Sequence, residues 1–194
     1  MDWRRLLRIL AIASVVYIII SLITGCNIKD ENAVTWDTCS QSIGDHPCDF
    51  SLVDQNEKEF LLYDHIGKII ILDFSAMWCG PCQRAAYEVE ELQKKYDEDI
   101  IYVTVLIENE SGSPPTKYDI KRWADAYGIN TAPVLMGSRD LFNPDPSLGW
   151  NIDAWPQYHI IGKDMVFYMS FTGFSEGRLE MIIQDALRGE VEGP

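Results

Sequence analysis

Residues 68–82 read KIIILDFSAMWCGPC, and this stretch decides the fold. It opens with an apolar run rich in β-branched residues, which is typical of a strand covered on both faces in a parallel sheet. Two cysteines, Cys79 and Cys82, follow the strand and are separated by Gly80 and Pro81. The sequence contains neither a second CxxC pair nor a cysteine–histidine cluster, so this spacing indicates a redox pair and not a zinc site.

A helix is predicted directly after the two cysteines. Its apolar stripe has helical spacing and consists of Ala85, Val89, Leu92 and Tyr96. Residues 100–107 form a second apolar, β-branched run, which predicts another buried strand. Residues 69–107 are therefore expected to fold as a βαβ unit, with the cysteines at the junction between its first strand and its helix.

The rest of the chain predicts a small number of further elements. They are a helix over 118–127 that ends at Gly128, a short strand over 133–136, a long loop over 137–150, a hairpin with strands over 157–161 and 165–171, and a last helix over about 179–186. This order of strands and helices predicts an α/β fold.

The junction between strand and helix has a chemical consequence for Cys79. Free N–H groups and the helix dipole favour a negative charge at a helix N-terminus. The thiolate is the attacking form of cysteine, and lowering its pKa from about 8.5 to about 7 requires roughly 2 kcal/mol. Pro81 fits the first helical turn because its missing N–H needs no partner there. Cys82, one turn further on, is expected to be the more buried, resolving thiol.

Residues 1–25 predict a secretory signal peptide. Three arginines lie within residues 1–8, residues 9–23 carry no charge, and residues 22–26 read LITGC. A basic start, a short apolar stretch and a small-residue end are typical of such signals, and the stretch is short for a membrane span. LITGC resembles the bacterial lipobox, which implies that Cys26 carries lipid and becomes the N-terminus. The alternative is an uncleaved signal anchor, and both place the remaining chain outside the cytoplasm.

The segment after Cys26 predicts a tether. Residues 26–45 are polar without a sustained period, so they are expected to connect the membrane to a domain over residues 46–190. In an oxidising compartment Cys39 and Cys48 are expected to form a structural disulfide that closes a short loop. Sequence alone leaves the other cysteine pairings open.

Composition limits the possible partners. The chain has 30 acidic and 16 basic residues and a net charge of −14. This balance argues against a nucleic-acid partner, because phosphate backbones are bound through lysine and arginine. The histidines His46, His65 and His159 are scattered along the sequence, so no metal or other cofactor is expected. We expect a monomer that reaches the membrane through its lipid.

Residues 72–82, LDFSAMWCGPC, resemble the signature of the thioredoxin superfamily. The resemblance covers roughly residues 48–187 and implies a thioredoxin-like three-layer fold with a central mixed β-sheet flanked by helices. It is strongest to the extracytoplasmic branch that includes TlpA and ResA. Members of that branch often carry a glutamate and a proline where this chain has Ala85 and Tyr87, so the role of that glutamate is not carried over.

The resemblance implies catalytic roles for Cys79, Cys82 and Asp73. Asp73 corresponds to the buried acid that exchanges a proton with the resolving cysteine. Burial would raise the pKa of this carboxyl towards neutrality, as proton exchange near pH 7 requires. The alternative is a solvated aspartate at the end of a strand.

Pro156 stands where the superfamily has a cis-proline opposite the cysteines. A cis bond after Trp155 would let the preceding backbone offer strand-like hydrogen bonds to a bound peptide. The expected substrate-binding residues are therefore Trp78, Gly80, Pro81, Trp155 and Pro156. The alternative is that the tryptophans, including Trp150, mainly pack in the core.

These observations indicate a thiol–disulfide oxidoreductase on the outer side of a bacterial membrane. It would exchange disulfides with extracytoplasmic proteins through its Cys-Gly-Pro-Cys centre, more often reducing them than forming them. An upstream redox partner would supply the electrons.

Three alternatives remain open. A peroxiredoxin shares the fold but uses a lone peroxidatic cysteine in a proline/threonine pattern that this sequence lacks. A copper-delivery module of the same fold would need CxxxC and a partner histidine, whereas this chain has CxxC. A redox-inactive binding lipoprotein would leave the intact cysteine pair unexplained.

Overall fold

The computed structural model describes residue 34 and residues 36–189. The predicted signal peptide over residues 1–25 and the predicted lipid site at Cys26 lie outside the described residues. Within that described part, no helix has both the length and the apolar character that crossing a bilayer requires.

The elements follow the predicted order, with an added hairpin at the start. In chain order they are β1 (Ser51–Val53), β2 (Glu59–Leu61), β3 (Ile69–Ala76), α1 (Gly80–Tyr96), β4 (Ile100–Glu108), α2 (Lys117–Tyr127), β5 (Val134–Met136), β6 (Gln157–Ile161), β7 (Phe167–Thr172) and α3 (Arg178–Arg188). Short 3-10 helices cover Leu62–His65 and Arg139–Leu141. The β1–β2 hairpin was not predicted, because strands of three residues are too short to show an alternating pattern.

The central sheet is mixed and has the strand order β5-β4-β3-β6-β7. β3 runs parallel to β4, and β4 runs parallel to β5, whereas β6 and β7 are antiparallel to their neighbours. All eight residues of β3 are buried, because the strand is central and both of its faces are covered. The predicted α/β fold with a central mixed sheet is therefore confirmed.

The two faces of the sheet are covered by different layers. Alternate residues of β3 point to opposite faces, and Ile69 and Ile71 share one core with apolar residues of α1, α2 and α3. The β3–α1–β4 and β4–α2–β5 crossovers progress in the same direction across the sheet, so right-handed connections bring both helices to the same face. Leu72 and Phe74 face the other way and pack with Phe60 of β2 and with Trp150.

Helix α2 begins and ends at the residues that its sequence favours. The Thr116 hydroxyl accepts a hydrogen bond from the Asp119 N–H, and the Asp119 carboxylate accepts one from the Thr116 N–H, which forms a capping box. Gly128 follows the last turn in the left-handed conformation, with φ of 67°. Glycine adopts this conformation without a steric penalty, and the predicted helix end at Gly128 is confirmed.

The chain ahead of β1 packs on the domain. The indole of Trp36 stacks on the imidazole of His46 at a centroid distance of 3.9 Å. The N–H of Gly44 donates to the carbonyl of Phe167 at 2.8 Å, and the Phe167 N–H donates to the carbonyl of Asp45 at 2.9 Å. These contacts involve Trp36, Gly44 and Asp45, which belong to the predicted tether over residues 26–45. That the segment acts as a tether stays a prediction.

Cys39 and Cys48 are joined by a disulfide in the structure, with an S–S distance of 2.05 Å. The loop that they close is held further by the Ser40 N–H, which donates to the carbonyl of His46 at 2.9 Å. The Gln41 N–H donates to the carbonyl of Pro146 at 2.7 Å, so this loop also contacts the long segment between β5 and β6.

His159 is a buried base in the centre of β6. Its imidazole lies 5.4 Å from the ring centroid of Phe74 and 4.9 Å from those of Trp150 and Phe167. Burial in this apolar surrounding disfavours the charged form and lowers the pKa of His159 to about 3. The unfolded chain binds the proton near pH 6.5, so His159 stabilises the fold above that pH and loses this contribution as the pH falls towards 3.

Replacing His159 with leucine, which has a similar volume, should flatten the acid dependence of stability. We expect wild type to lose about 2 kcal/mol more of its free energy of unfolding between pH 7 and pH 5 than His159→Leu does. Urea unfolding of both proteins at the two pH values measures this difference. Other titrating groups are common to both chains and cancel. Equal losses in the two proteins would contradict a depressed pKa at His159.

Candidate active site

The reactive turn lies where β3 leads into α1. Cys79 is the N-cap of α1 with extended backbone angles, and Pro81 occupies the first turn. The N–H of Cys82 donates to the Cys79 sulfur at 3.2 Å. The sulfur thus receives a backbone hydrogen bond and lies at the positive end of the helix dipole, and both favour a thiolate.

Cys79 and Cys82 are joined by a disulfide in the structure. Cys82 is fully buried, whereas Cys79 keeps an exposed fraction of 4%. An attacking group from another molecule therefore reaches the Cys79 sulfur first. Gly80 lies between the two cysteines as the first residue of α1, and a Cβ there would approach only the end of the flexible Arg84 side chain, at 3.8 Å.

Asp73 is a buried acid on β3, with an exposed fraction of 1%. Its carboxylate accepts hydrogen bonds from the Ser75 hydroxyl at 2.7 Å and from the Tyr102 hydroxyl at 3.3 Å. Burial raises the pKa of Asp73 to about 7, although these two hydrogen bonds act in the opposite direction. By strand alternation, Asp73 points to the same face of the sheet as Ile69 and Ile71, where α1 and Cys82 pack.

Two tyrosines that the sequence did not single out accompany Asp73. Tyr102 donates to its carboxylate from β4, and Tyr158 pairs with Asp73 across the β3–β6 ladder. Burial, and then the nearby Asp73 carboxyl, raise the pKa of both phenols above the ordinary value, so they stay protonated. The only available signal was their position in apolar strands, which is equally typical of core tyrosines.

The Trp155–Pro156 peptide bond is cis. The carbonyl of Pro156 accepts a hydrogen bond from the Gly173 N–H at 2.8 Å. Gln157 begins β6 and pairs with Phe74 near the end of β3. The sheet therefore brings Pro156 close to the end of β3, where the reactive turn begins.

The tryptophans Trp78, Trp150 and Trp155 differ in exposure. Trp150 is buried and packs on Phe74 at a centroid distance of 5.5 Å, so it belongs to the core. Trp78 is 47% exposed beside Cys79. Trp155 is half-buried, and its ring lies 5.6 Å from that of Phe142. Trp78 and Trp155 thus each leave some aromatic surface accessible.

The described residues offer no evident metal site. Among them, no group of three or more histidine, cysteine, aspartate or glutamate side chains is arranged to hold a metal ion.

The chain is similar in sequence to a protein family and to individual known proteins. Residues 43–164, more than half of the chain, match the model of the AhpC/TSA family. The chain is 29% identical over 120 residues to the thioredoxin-like protein YneN of Bacillus subtilis, covering 62% of this chain and 65% of YneN. It is 29% identical over 136 residues to the thiol-disulfide oxidoreductase ResA of Geobacillus kaustophilus, covering 68% of this chain and 70% of that protein. The chain thus spans slightly less than two thirds of the length of YneN.

Solved structures share the fold. A thiol:disulfide interchange protein of the thioredoxin family from Chlorobium tepidum superposes with a TM-score of 0.60 at 21% identity, covering 80% of this chain and 99% of that one. The exposed lipoprotein thioredoxin Etrx1 of Streptococcus pneumoniae superposes with a TM-score of 0.57 at 25% identity, covering 74% and 98%. These structures share the fold, and the family match shows that the chain belongs to the AhpC/TSA family.

Proposed function

We propose that this protein is a thiol–disulfide oxidoreductase that exchanges disulfides with other proteins through Cys79 and Cys82, chiefly as a reductase. The observation that carries the proposal is the Cys79 sulfur at the N-terminus of α1, bonded to Cys82 and hydrogen-bonded to its N–H. The relatives named as thiol-disulfide oxidoreductase and thioredoxin-like protein support the same reaction class.

The first step joins the enzyme to its substrate. With the pair reduced, the Cys79 thiolate attacks one sulfur of a partner disulfide. A new S–S bond forms between Cys79 and that sulfur, the old bond breaks, and the second partner sulfur leaves as a thiolate. The N–H of Cys82 and the helix dipole favour the anion of Cys79 before the attack.

The second step releases the substrate. Cys82 gives its proton to the Asp73 carboxylate and attacks the Cys79 sulfur, so that the partner leaves with both of its sulfurs reduced. The chain ends with the Cys79–Cys82 bond present in the structure. Two electrons from an upstream redox partner then restore the dithiol. A carboxyl with a pKa of about 7 is suited to this exchange, because it accepts and returns a proton near neutral pH.

We further propose that the domain works outside the cytoplasm on a lipid anchor. In this organisation residues 1–25 are removed, Cys26 is lipidated, residues 26–45 form the connection and residues 46–190 form the domain. Several acyl chains would hold it firmly, since each buried CH₂ contributes about 0.8 kcal/mol. The structural likeness to an exposed lipoprotein thioredoxin of Streptococcus pneumoniae supports this location.

Reduction of insulin by dithiothreitol tests the activity. Wild type should accelerate insulin precipitation, and Cys79→Ser should give the uncatalysed rate, because the attacking sulfur is gone. Cys39→Ser is the matched control and should retain activity. Equal rates for wild type and Cys79→Ser would reject the oxidoreductase proposal. Consumption of hydrogen peroxide or stoichiometric uptake of Cu(I) in the same preparation would instead favour the peroxiredoxin or copper alternative.

Asp73→Asn tests the proton transfer. Wild-type turnover should rise with pH through about 7, since the carboxylate that accepts the Cys82 proton exists only above its pKa. The variant should turn over about 10- to 100-fold more slowly at pH 8, because it has no carboxylate to accept the Cys82 proton. Asp99→Asn, which removes an exposed carboxyl paired with Lys163, is the control and should keep the wild-type profile. Wild-type turnover of Asp73→Asn at pH 8 would remove Asp73 from the mechanism.

Metabolic labelling with a radioactive fatty acid tests the anchor. In a bacterial host, wild type and Cys39→Ser should both take up label and fractionate with membranes. Cys26→Ser should take up none, because the acceptor thiol is missing. Label on Cys26→Ser would refute lipidation at this residue while leaving the redox chemistry untouched.

A further inference from the structure

Arg84 lies on α1 and extends back towards the reactive turn. A Cβ placed on Gly80 would lie 3.8 Å from a guanidinium nitrogen of Arg84. Side chains on a helix point towards its N-terminus, so a long side chain covers the residue four positions before it. Gly80 has no side chain and separates Cys79 from Cys82. The positive charge of Arg84 therefore lies beside the backbone between the two cysteines.

The Arg84 side chain is exposed, and none of the described residues forms an ion pair, a hydrogen bond or a ring contact with it. Most lysines and arginines in that part of the chain pair with carboxylates. Lys68 donates instead to the carbonyl of Asp97 at 2.9 Å, and the Arg178 guanidinium lies 4.0 Å from the centroid of the Phe171 ring. In a chain with 30 acidic and 16 basic residues, an unpaired guanidinium is an exception.

The acid that the sequence places nearest to Arg84 on the helix surface has a different partner. Glu88 follows Arg84 by four residues, and a base on the N-terminal side of an acid is the weaker order for such a pair. Glu88 accepts a hydrogen bond from the Gly177 N–H, ahead of α3, and lines a cleft there with Glu91 and Glu176. The Arg84 charge is therefore available to a group that comes from another molecule.

The acids at the reactive turn are buried or already paired. Asp73 is 1% exposed, so a bound substrate does not contact its carboxyl. Glu108 accepts a hydrogen bond from the Trp78 indole N–H at 2.8 Å, and its carboxylate also pairs with Arg139. At physiological ionic strength charges are screened over about 8 Å, so distant acids affect a bound group less than Arg84 does at contact.

We propose that Arg84 is a specificity-determining residue that binds a carboxylate next to the substrate disulfide, so that the site prefers disulfides flanked by acidic groups. The planar guanidinium suits this contact, because it can bond both oxygens of a carboxylate. When the Cys79 thiolate bonds to one substrate sulfur, the substrate S–S bond breaks and the other sulfur leaves as a thiolate. A carboxylate on the half that is bonded to Cys79 stays close to Arg84. This inference rests on the proposed oxidoreductase function and adds the substrate class to it.

Three small disulfides of different charge test this preference. They are dithiodipropionate with two carboxylates, bis(2-hydroxyethyl) disulfide with no charge, and cystamine with two ammonium groups. Reduced protein is mixed with each one, quenched, alkylated and weighed by mass spectrometry, which gives the second-order rate constant for its oxidation. The readout is the rate constant for each charged disulfide divided by that for the neutral one. An effect of Arg84 on the reactivity of Cys79 itself is common to all three and cancels.

For Arg84→Gln we expect the dithiodipropionate ratio to fall about three- to fivefold, which is what an exposed ion pair contributes. The cystamine ratio should rise about twofold, because a positive charge no longer repels it. Arg84→Lys should retain part of the preference, since it keeps the charge without the planar fork. Raising the salt concentration should move the wild-type dithiodipropionate ratio towards that of Arg84→Gln.

Lys58→Gln is the matched control. Lys58 is also exposed and has no ion pair with any described residue. It lines a cavity with Ile101 and Pro133 at the starts of β4 and β5, which is the end of the parallel strands opposite to the reactive turn. Both ratios should therefore stay at their wild-type values in Lys58→Gln. Arg84 has no partner to lose, so its variants are expected to fold like wild type.

The outcomes distinguish this inference from the function beneath it. If wild type and Cys79→Ser react equally slowly with all three disulfides, the proposed function itself fails. If wild type reacts and Arg84→Gln keeps both wild-type ratios, only the role of Arg84 is rejected. An equal loss of rate with all three disulfides also rejects it, because a general effect on Cys79 predicts that result.

Discussion

The hydrogen bond from the Cys82 N–H to the Cys79 sulfur makes a reactive atom the cap of α1. A helix N-terminus needs acceptors for its free N–H groups, and here a cysteine takes the place that serine or aspartate usually fills. This bond requires Cys79 to have a fixed position at the start of α1. The preceding strand β3 provides it, because β3 is central in the sheet and buried along its whole length. The same hydrogen bond therefore caps α1 and favours the thiolate of Cys79.

The neighbouring strands β3 and β6 carry buried ionisable groups on opposite faces of the sheet. Asp73 on β3 faces the helices and has a raised pKa, and His159 on β6 lies among aromatic rings with a lowered pKa. Both sites disfavour charge, so their effects on folding stability have opposite slopes in the acid range. As pH rises from about 4 to 7 the fold loses stability through Asp73, whereas over the same range it gains stability through His159. The acid has a role in the proposed chemistry, and the base is covered by the core.

The sequence predicted the elements with long periodic patterns. β3, α1, β4, α2 and α3 could be located from apolar runs, helical stripes and end signals such as Gly128, because local residues determine them. The β1–β2 hairpin was missed, since three-residue strands carry no period. The packing of residues 36–45 was missed because it depends on bonds to the distant Phe167.

The candidate site was predictable where a local motif or the family resemblance covers it. The motif indicated Cys79 and Cys82 at the junction of strand and helix, and the resemblance added Asp73 and Pro156. Tyr102 and Tyr158 come from two other strands, and nothing in their own sequence surroundings distinguishes them. Their positions follow from the β3–β4 and β3–β6 registers, which a single sequence does not reveal.

The strand order also determines when the site comes into existence during synthesis. β3 pairs with β4, which is made soon afterwards, but its other neighbour is β6, which follows far along the chain. Pairing over such a sequence separation is slow, because the loop must close before any contact is gained. During synthesis, Cys79 and Cys82 are thus present before Pro156 and before β6, the second neighbour of β3. The chain therefore has both thiols before β6 and Pro156 complete the site beside them.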